Sequence, residues 1–197
     1  MRYLKKVNDS QIVADNLSYA NVSDRIDIRN QLINEQQGFC AYSERFIKQT
    51  DSVDIEHFDP RKKNTPGDYY YNWYATLHWL NSHKPYKIDP FLPVLIPHSL
   101  DLTTRIKFEN GLFETINRPD VEAQNLIDFL GVNKYELYTD RVKHLNRINA
   151  LKVLCGDDEE LFIKKMIEDQ DNLSFATAIE YKFNLDVDNL IALSRSL

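Results

Sequence analysis

Asp54-Ile55-Glu56-His57-Phe58-Asp59-Pro60 gathers acids and an imidazole into one short stretch, with Asn72 further on and then Asn81, His83 and Lys84. These residue types suit metal-assisted hydrolysis of a phosphodiester. That reaction needs a base to activate water and a cation to neutralise the charge building on the phosphate and the leaving oxygen. An imidazole titrating near about pH 6.5 serves as the base. Carboxylate and amide oxygens suit a hard divalent ion such as magnesium.

Positioning these groups makes demands on the backbone. If residues 54–58 form a strand, alternation sends Glu56 and His57 to opposite faces, so a strand end or turn is needed there for both to address one metal-bound water. Pro60 and the loop Asn64-Thr65-Pro66-Gly67-Asp68 offer that departure. A helix over residues 75–84, stopped by Pro85, sets Asn81 on a face with Leu77 and His78 and turns His83 elsewhere. Either Asn81 or His78 can then ligate.

Around this stretch, residues 24–37 have near-helical apolar spacing and end at Gly38, which predicts a helix. Residues 39–58 read as a hairpin or irregular ribbon, and 69–74 as an aromatic-rich short strand. Five of the seven prolines fall at positions 85 to 119, where long helices are forbidden; Asn110-Gly111 between apolar flanks predicts a hairpin turn. Helical patterns follow over 121–130, 134–154, 159–167 and 175–183. The expected fold class is α+β, with an N-terminal helix and site core in residues 1–95, and a linker hairpin and helical lobe in 96–197.

A hydrophobic content of 43% supports a packed core and excludes a disordered chain. No apolar run is long enough for a membrane span and the first residues lack a secretory signal, so the expected location is cytoplasmic, with no membrane partner. Cys40 and Cys155 are too few for a disulfide framework or a four-thiolate zinc site. The net charge of −6 opposes simple nucleic-acid binding, but Arg61, Lys62 and Lys63 form a local basic cluster just after His57.

Three stretches together carry a resemblance: Glu35-Gln36-Gln37-Gly38-Phe39-Cys40-Ala41-Tyr42-Ser43-Glu44, the Asp54 to Pro60 segment, and Tyr71-Asn72 with Leu80-Asn81-Ser82-His83-Lys84. They resemble the HNH endonuclease pattern, and more narrowly the PtuB-like HNH proteins of Septu-type and retron-associated anti-phage systems. The likeness continues through Asp89-Pro90, Phe108-Glu109-Asn110-Gly111 and Ile127-Asp128-Phe129-Leu130-Gly131-Val132-Asn133. It implies a ββα-metal (His-Me finger) core acting as a metal-dependent endonuclease, in antiviral defence beside an ATPase partner, on DNA ahead of RNA. His57 becomes the general base, Asn72 the brace of its loop, Glu56 and Asn81 the metal ligands, and Asp54 a supporting acid. The cofactor is a divalent metal, Mg2+ first, with Mn2+ and Zn2+ as alternatives. The structural zinc that such proteins hold with two CxxC pairs is expected to be absent, because those positions read Cys40 and Ser43, then Leu77 and Leu80. Apolar packing of the leucines replaces coordination.

Plainer roles compete with each assignment. His57 alone reads as a histidine paired to a carboxylate. Arg61, Lys62, Lys63, His83 and Lys84 either touch substrate or belong to solvated surface. The tyrosines at 69 to 71 stack on bases or pack a hairpin. A whole-protein alternative is an HNH fold kept as a non-catalytic interaction subunit, which dispersal of Glu56, His57 and Asn81 would favour.

Overall fold

The computed structural model of the protein describes residues 1–196. Ser10 caps a short helix α1 (Gln11–Ala14) through its hydroxyl, and α2 (Arg25–Glu35) follows, ending before Gly38 as its spacing predicts. Strand β1 (Val53–His57) pairs antiparallel with β2 (Trp73–Leu77), and the chain turns directly into α3 (His78–His83). The helix expected over residues 75–84 is therefore shorter at its start. Trp73-Tyr74-Ala75-Thr76-Leu77 is aromatic and β-branched, and all five residues are buried, so pairing with β1 prevails over helix up to Leu77.

After α3 come α4 (Leu102–Arg105) and the hairpin β3 (Ile106–Glu109) and β4 (Leu112–Thr115). Its two turn residues, Asn110 and Gly111, both have positive φ, as the Asn-Gly signal requires. Arg141 holds this turn from below. Its buried guanidinium donates to the Gly111 and Val132 carbonyls at 2.7 and 2.8 Å. The helical part follows as α5 (Val121–Leu130), α6 (Tyr135–Cys155), α7 (Glu159–Glu168), α8 (Ala176–Phe183) and α9 (Val187–Ser194). Helices α1, α4 and α9 lie outside the elements read from periodicity. The described residues thus form an α+β structure with two small antiparallel sheets. Among them no helix is long and apolar enough to cross a membrane.

Two buried clusters set the two faces of the β1–β2 sheet. Ile12, Ile28, Leu32, Tyr70, Trp73 and Ala75 pack between α1, α2 and one face. The larger cluster runs from Met1 through Tyr42, Tyr74, Leu80 and Phe129 to Ile191, drawing on both sides of position 95. Glu44 ties these parts together. Its buried carboxylate accepts from the backbone N–H of Arg2 at 2.9 Å and from the N–H and hydroxyl of Thr177, both at 2.8 Å. Burial pushes its carboxyl upward, but the nearby Met1 amine and these hydrogen bonds prevail and hold it below the usual range. Glu44→Ala strands the Arg2 N–H and the two Thr177 donors. It should lower unfolding free energy by about 1–3 kcal/mol for each buried donor left unpaired, measured by urea denaturation.

Candidate functional site

Regular alternation persists to the last residue of β1. Glu56 stands opposite Tyr74 and His57 opposite Trp73, so their side chains leave on opposite faces of the sheet. A departure from strand geometry at this pair, expected from Pro60, is not present. β2 offers a ladder partner as far back as Trp73, and the chain leaves the strand only around Asp59-Pro60.

On the face toward α3, Glu56 is 2% exposed. Its Oε1 lies 2.9 Å from Lys84 Nζ, and its Oε2 accepts from the Tyr42 hydroxyl at 2.7 Å. Burial pushes the Glu56 carboxyl upward, while Lys84 and Tyr42 oppose the shift. Lys84 is itself buried and sits 4.0 Å from the Phe129 ring centroid. Its charge is spent on Glu56, not on a substrate. Asp54 shares this face two residues earlier. Its Oδ2 accepts from Asn81 Nδ2 at 2.8 Å and lies 2.9 Å from His78 Nδ1. Asn81 is thus joined to Asp54.

The opposite face holds His57, 6% exposed, with Tyr19 set edge-on at 4.5 Å between ring centroids. His57 Nε2 stands 3.0 Å from Asp68 Oδ1, yet off the N–H direction, so the two groups are close while Nε2 is left without a hydrogen bond. The same Asp68 oxygen accepts from Trp73 Nε1 at 2.6 Å. Burial lowers the His57 pKa to about 4 against the upward pull of Asp68. The imidazole is neutral at pH 7.

Asn72 closes the neck of the loop between the strands. Its Oδ1 accepts from Asp59 N at 2.8 Å, its Nδ2 donates to Asp59 O at 3.0 Å, and its carbonyl accepts from Phe58 N at 2.9 Å. The two residues after His57 are fixed to the residue before β2. Arg61 is pinned to Asp59, at 2.9 Å, and to Asp89, at 3.2 Å. Lys62 and Lys63 are exposed, and His83 stacks on Trp79 at 4.4 Å.

Several contributors escape sequence reading. Tyr42 and Asp68 meet Glu56 and His57 only through the fold, and no local pattern announces them. A shallow cleft of about 180 Å3 is lined by Tyr19, Arg25, Arg29, Val53, Asp54 and Ile55. Among the described residues neither arginine has a carboxylate at ion-pair distance, unlike Arg61. Their spacing of four residues along α2 puts both on one face, a signal available in the sequence beside the apolar periodicity.

A cation does not fit between Glu56 and Asn81 in this arrangement: both Glu56 oxygens are engaged, and Asn81 is turned to Asp54. Among the described residues no three His, Cys, Asp or Glu side chains converge as a metal site. At the positions of the CxxC pairs, Cys40, Leu77 and Leu80 share the main core, where the Leu77 N–H reaches Cys40 Sγ at 3.4 Å, and Ser43 is buried. Comparison of the chain with protein-family models, curated proteins and solved structures finds no match.

Two measurements check this geometry. Lys84→Met leaves Glu56 buried without its counter-charge and should cost about 3–5 kcal/mol, most of it recovered in the double variant Glu56→Gln/Lys84→Met. For His57, the folded pKa of about 4 lies below its ordinary 6.5, so the unfolded chain takes up the proton first. This contribution to stability is complete above pH 6.5 and is lost as pH falls toward 4. Denaturation midpoints should fall through that window. His57→Gln should remove on the order of 3 kcal/mol of this pH-dependent loss, with the rest set by other groups such as His144, which burial lowers to about the same value.

Proposed function

We propose that the chain is an HNH-type, ββα-metal protein that hydrolyses phosphodiester bonds in nucleic acid, DNA ahead of RNA, with an ATPase partner in anti-phage defence. The observation that carries this reading is the loop clamp: a hairpin runs straight into a helix, and Asn72 locks the backbone immediately behind a neutral, buried His57. A neutral imidazole has a free lone pair for a proton from water. Asp68, 3.0 Å away, then stabilises the imidazolium that forms. Arg25 and Arg29 in the cleft, with Lys63 5.2 Å from the Tyr19 ring, supply positive charge for the phosphate backbone. Tyr19 lies against His57, so substrate reaches the imidazole only when that ring moves. A divalent ion belongs to this chemistry, where it neutralises phosphate charge. The Glu56–Asn81 pair does not seat one here, and no step is assigned through it.

A second reading has its own support. Glu56 is sealed by Lys84 and Tyr42 on one face while His57 occupies the other, a dispersal suited to a non-catalytic interaction subunit of the same fold. Incubation with DNA or RNA and Mg2+ or Mn2+, with and without the ATPase partner, separates the two. The nuclease reading expects cleavage that His57→Ala cuts at least about a hundredfold, with a rate that stays level from pH 8 to about pH 5 because the imidazole remains unprotonated. Cleavage indifferent to His57→Ala removes its role as base. Binding without cleavage under every condition selects the interaction subunit.

A further inference from the structure

We propose that the segment between α1 and α2 is a cap over His57, latched by Arg25 and opened when a phosphate of the substrate takes Arg25 from the Tyr19 carbonyl. The cap serves the nuclease reading, on which it rests, and its opening is measured without cleavage.

Residues 15–24 join the two helices without regular structure. Near their middle, Tyr19 sets its ring edge-on to the His57 imidazole at 4.5 Å between centroids and lies 6.3 Å from the Trp73 ring. The imidazole beneath is 6% exposed, and its Nε2 is buried without a hydrogen bond. A polar atom left in that state is destabilising. Lifting the Tyr19 ring lets water or substrate supply the missing partner.

The cover is lightly held. Among the described residues, the hydrogen bonds of residues 18–23 run only to one another, to Asp24 and to Arg25. Arg25 makes the contact with Tyr19 itself: its Nε donates to the Tyr19 carbonyl at 2.8 Å, and its guanidinium stands 4.4 Å from the ring centroid. Tyr19 meets His57, Trp73 and Lys63 through its ring alone.

A substrate offers Arg25 a better partner than this carbonyl. Among the described residues neither Arg25 nor Arg29, four residues on, has a carboxylate at ion-pair distance. Both line the cleft of about 180 Å3 beside Tyr19. Asp54, also on its wall, turns its carboxylate to His78 and Asn81. A guanidinium hydrogen bond to a phosphate oxygen is roughly twice as strong as one to a neutral carbonyl, and the planar fork can hold two oxygens at once. Phosphate therefore binds best to the open form, in which Arg25 Nε is free, and that difference in affinity shifts the equilibrium toward opening. The same guanidinium closes the site and reads the substrate.

Carbethoxylation of the full chain by diethylpyrocarbonate at about pH 7, where the His57 imidazole is neutral, tests this when read residue by residue by mass spectrometry. Exposed His83 and half-buried His144 serve as references. In the wild type His57 should react about tenfold more slowly than His83, or slower still. Arg25→Gln and Tyr19→Ala should each speed His57 by about fivefold or more and leave His144 unchanged. Pyrophosphate, the probe for the substrate's phosphates, should speed His57 about threefold in the wild type but not in Arg25→Gln, relative to KCl at the same ionic strength. Should Tyr19→Ala loosen the whole fold, His144 reacts faster as well, and Arg25→Gln with the pyrophosphate response carries the decision. Wild-type His57 as reactive as His83 overturns the cap. A His57 rate unmoved by Arg25→Gln overturns the latch, and one unmoved or lowered by pyrophosphate overturns its release by phosphate. Capping and release seen in full, with no cleavage of DNA or RNA, leave the cap standing and remove the nuclease reading alone.

Discussion

A carboxylate taken out of water must find positive charge, and in this protein Glu56 finds it in Lys84. That pairing fixes the junction where α3 leaves β2 against β1, because Lys84 follows the last turn of the helix and Glu56 sits one residue before the end of the strand. Tyr42 brings the segment after α2 to the same carboxylate, and Phe129 brings α5 to the same ammonium. Four stretches distant along the chain thus meet around one ion pair. Its value lies less in attraction than in what its loss would leave behind, an uncompensated charge in the core.

Neutralisation of Glu56 from within has a consequence for chemistry. The acid beside the imidazole, the position that the HNH resemblance assigns to metal binding, is occupied by the protein's own cation. Asp54, two residues earlier, is partnered by the Asn81 amide and the His78 imidazole. The opposite face of the same strand carries the imidazole at 57, a carboxylate at 68 and the unpaired arginines of α2. The short sheet therefore divides its groups: Asp54, Glu56, Lys84 and α3 lie on one side, and His57, Asp68 and the α2 arginines on the other.

Much of this was legible from residue order. The α2 helix, the Asn110-Gly111 hairpin and helices α5 to α8 follow from local spacing and turn chemistry. Asn72 as a loop brace came from the resemblance, and the hydrogen bonds of its amide to Asp59 supply a physical means. The opposite faces of Glu56 and His57 followed from alternation alone; the expected escape from it did not, because pairing between His57 and Trp73 depends on a partner strand 16 residues away. The same long-range origin hides Tyr42, Asp68 and the Lys84 pairing. The start of α3 at His78 and not Ala75 reflects tertiary pairing prevailing over helix propensity.

The central claim is that Glu56 is neutralised from within by Lys84 and leaves no seat for a cation beside Asn81. A crystal structure grown with Mn2+, read by anomalous scattering, tests it most directly. The account predicts no peak between Glu56 and Asn81, with the Lys84–Glu56 contact intact. A peak between Glu56 and Asn81, with Lys84 swung away, would contradict it.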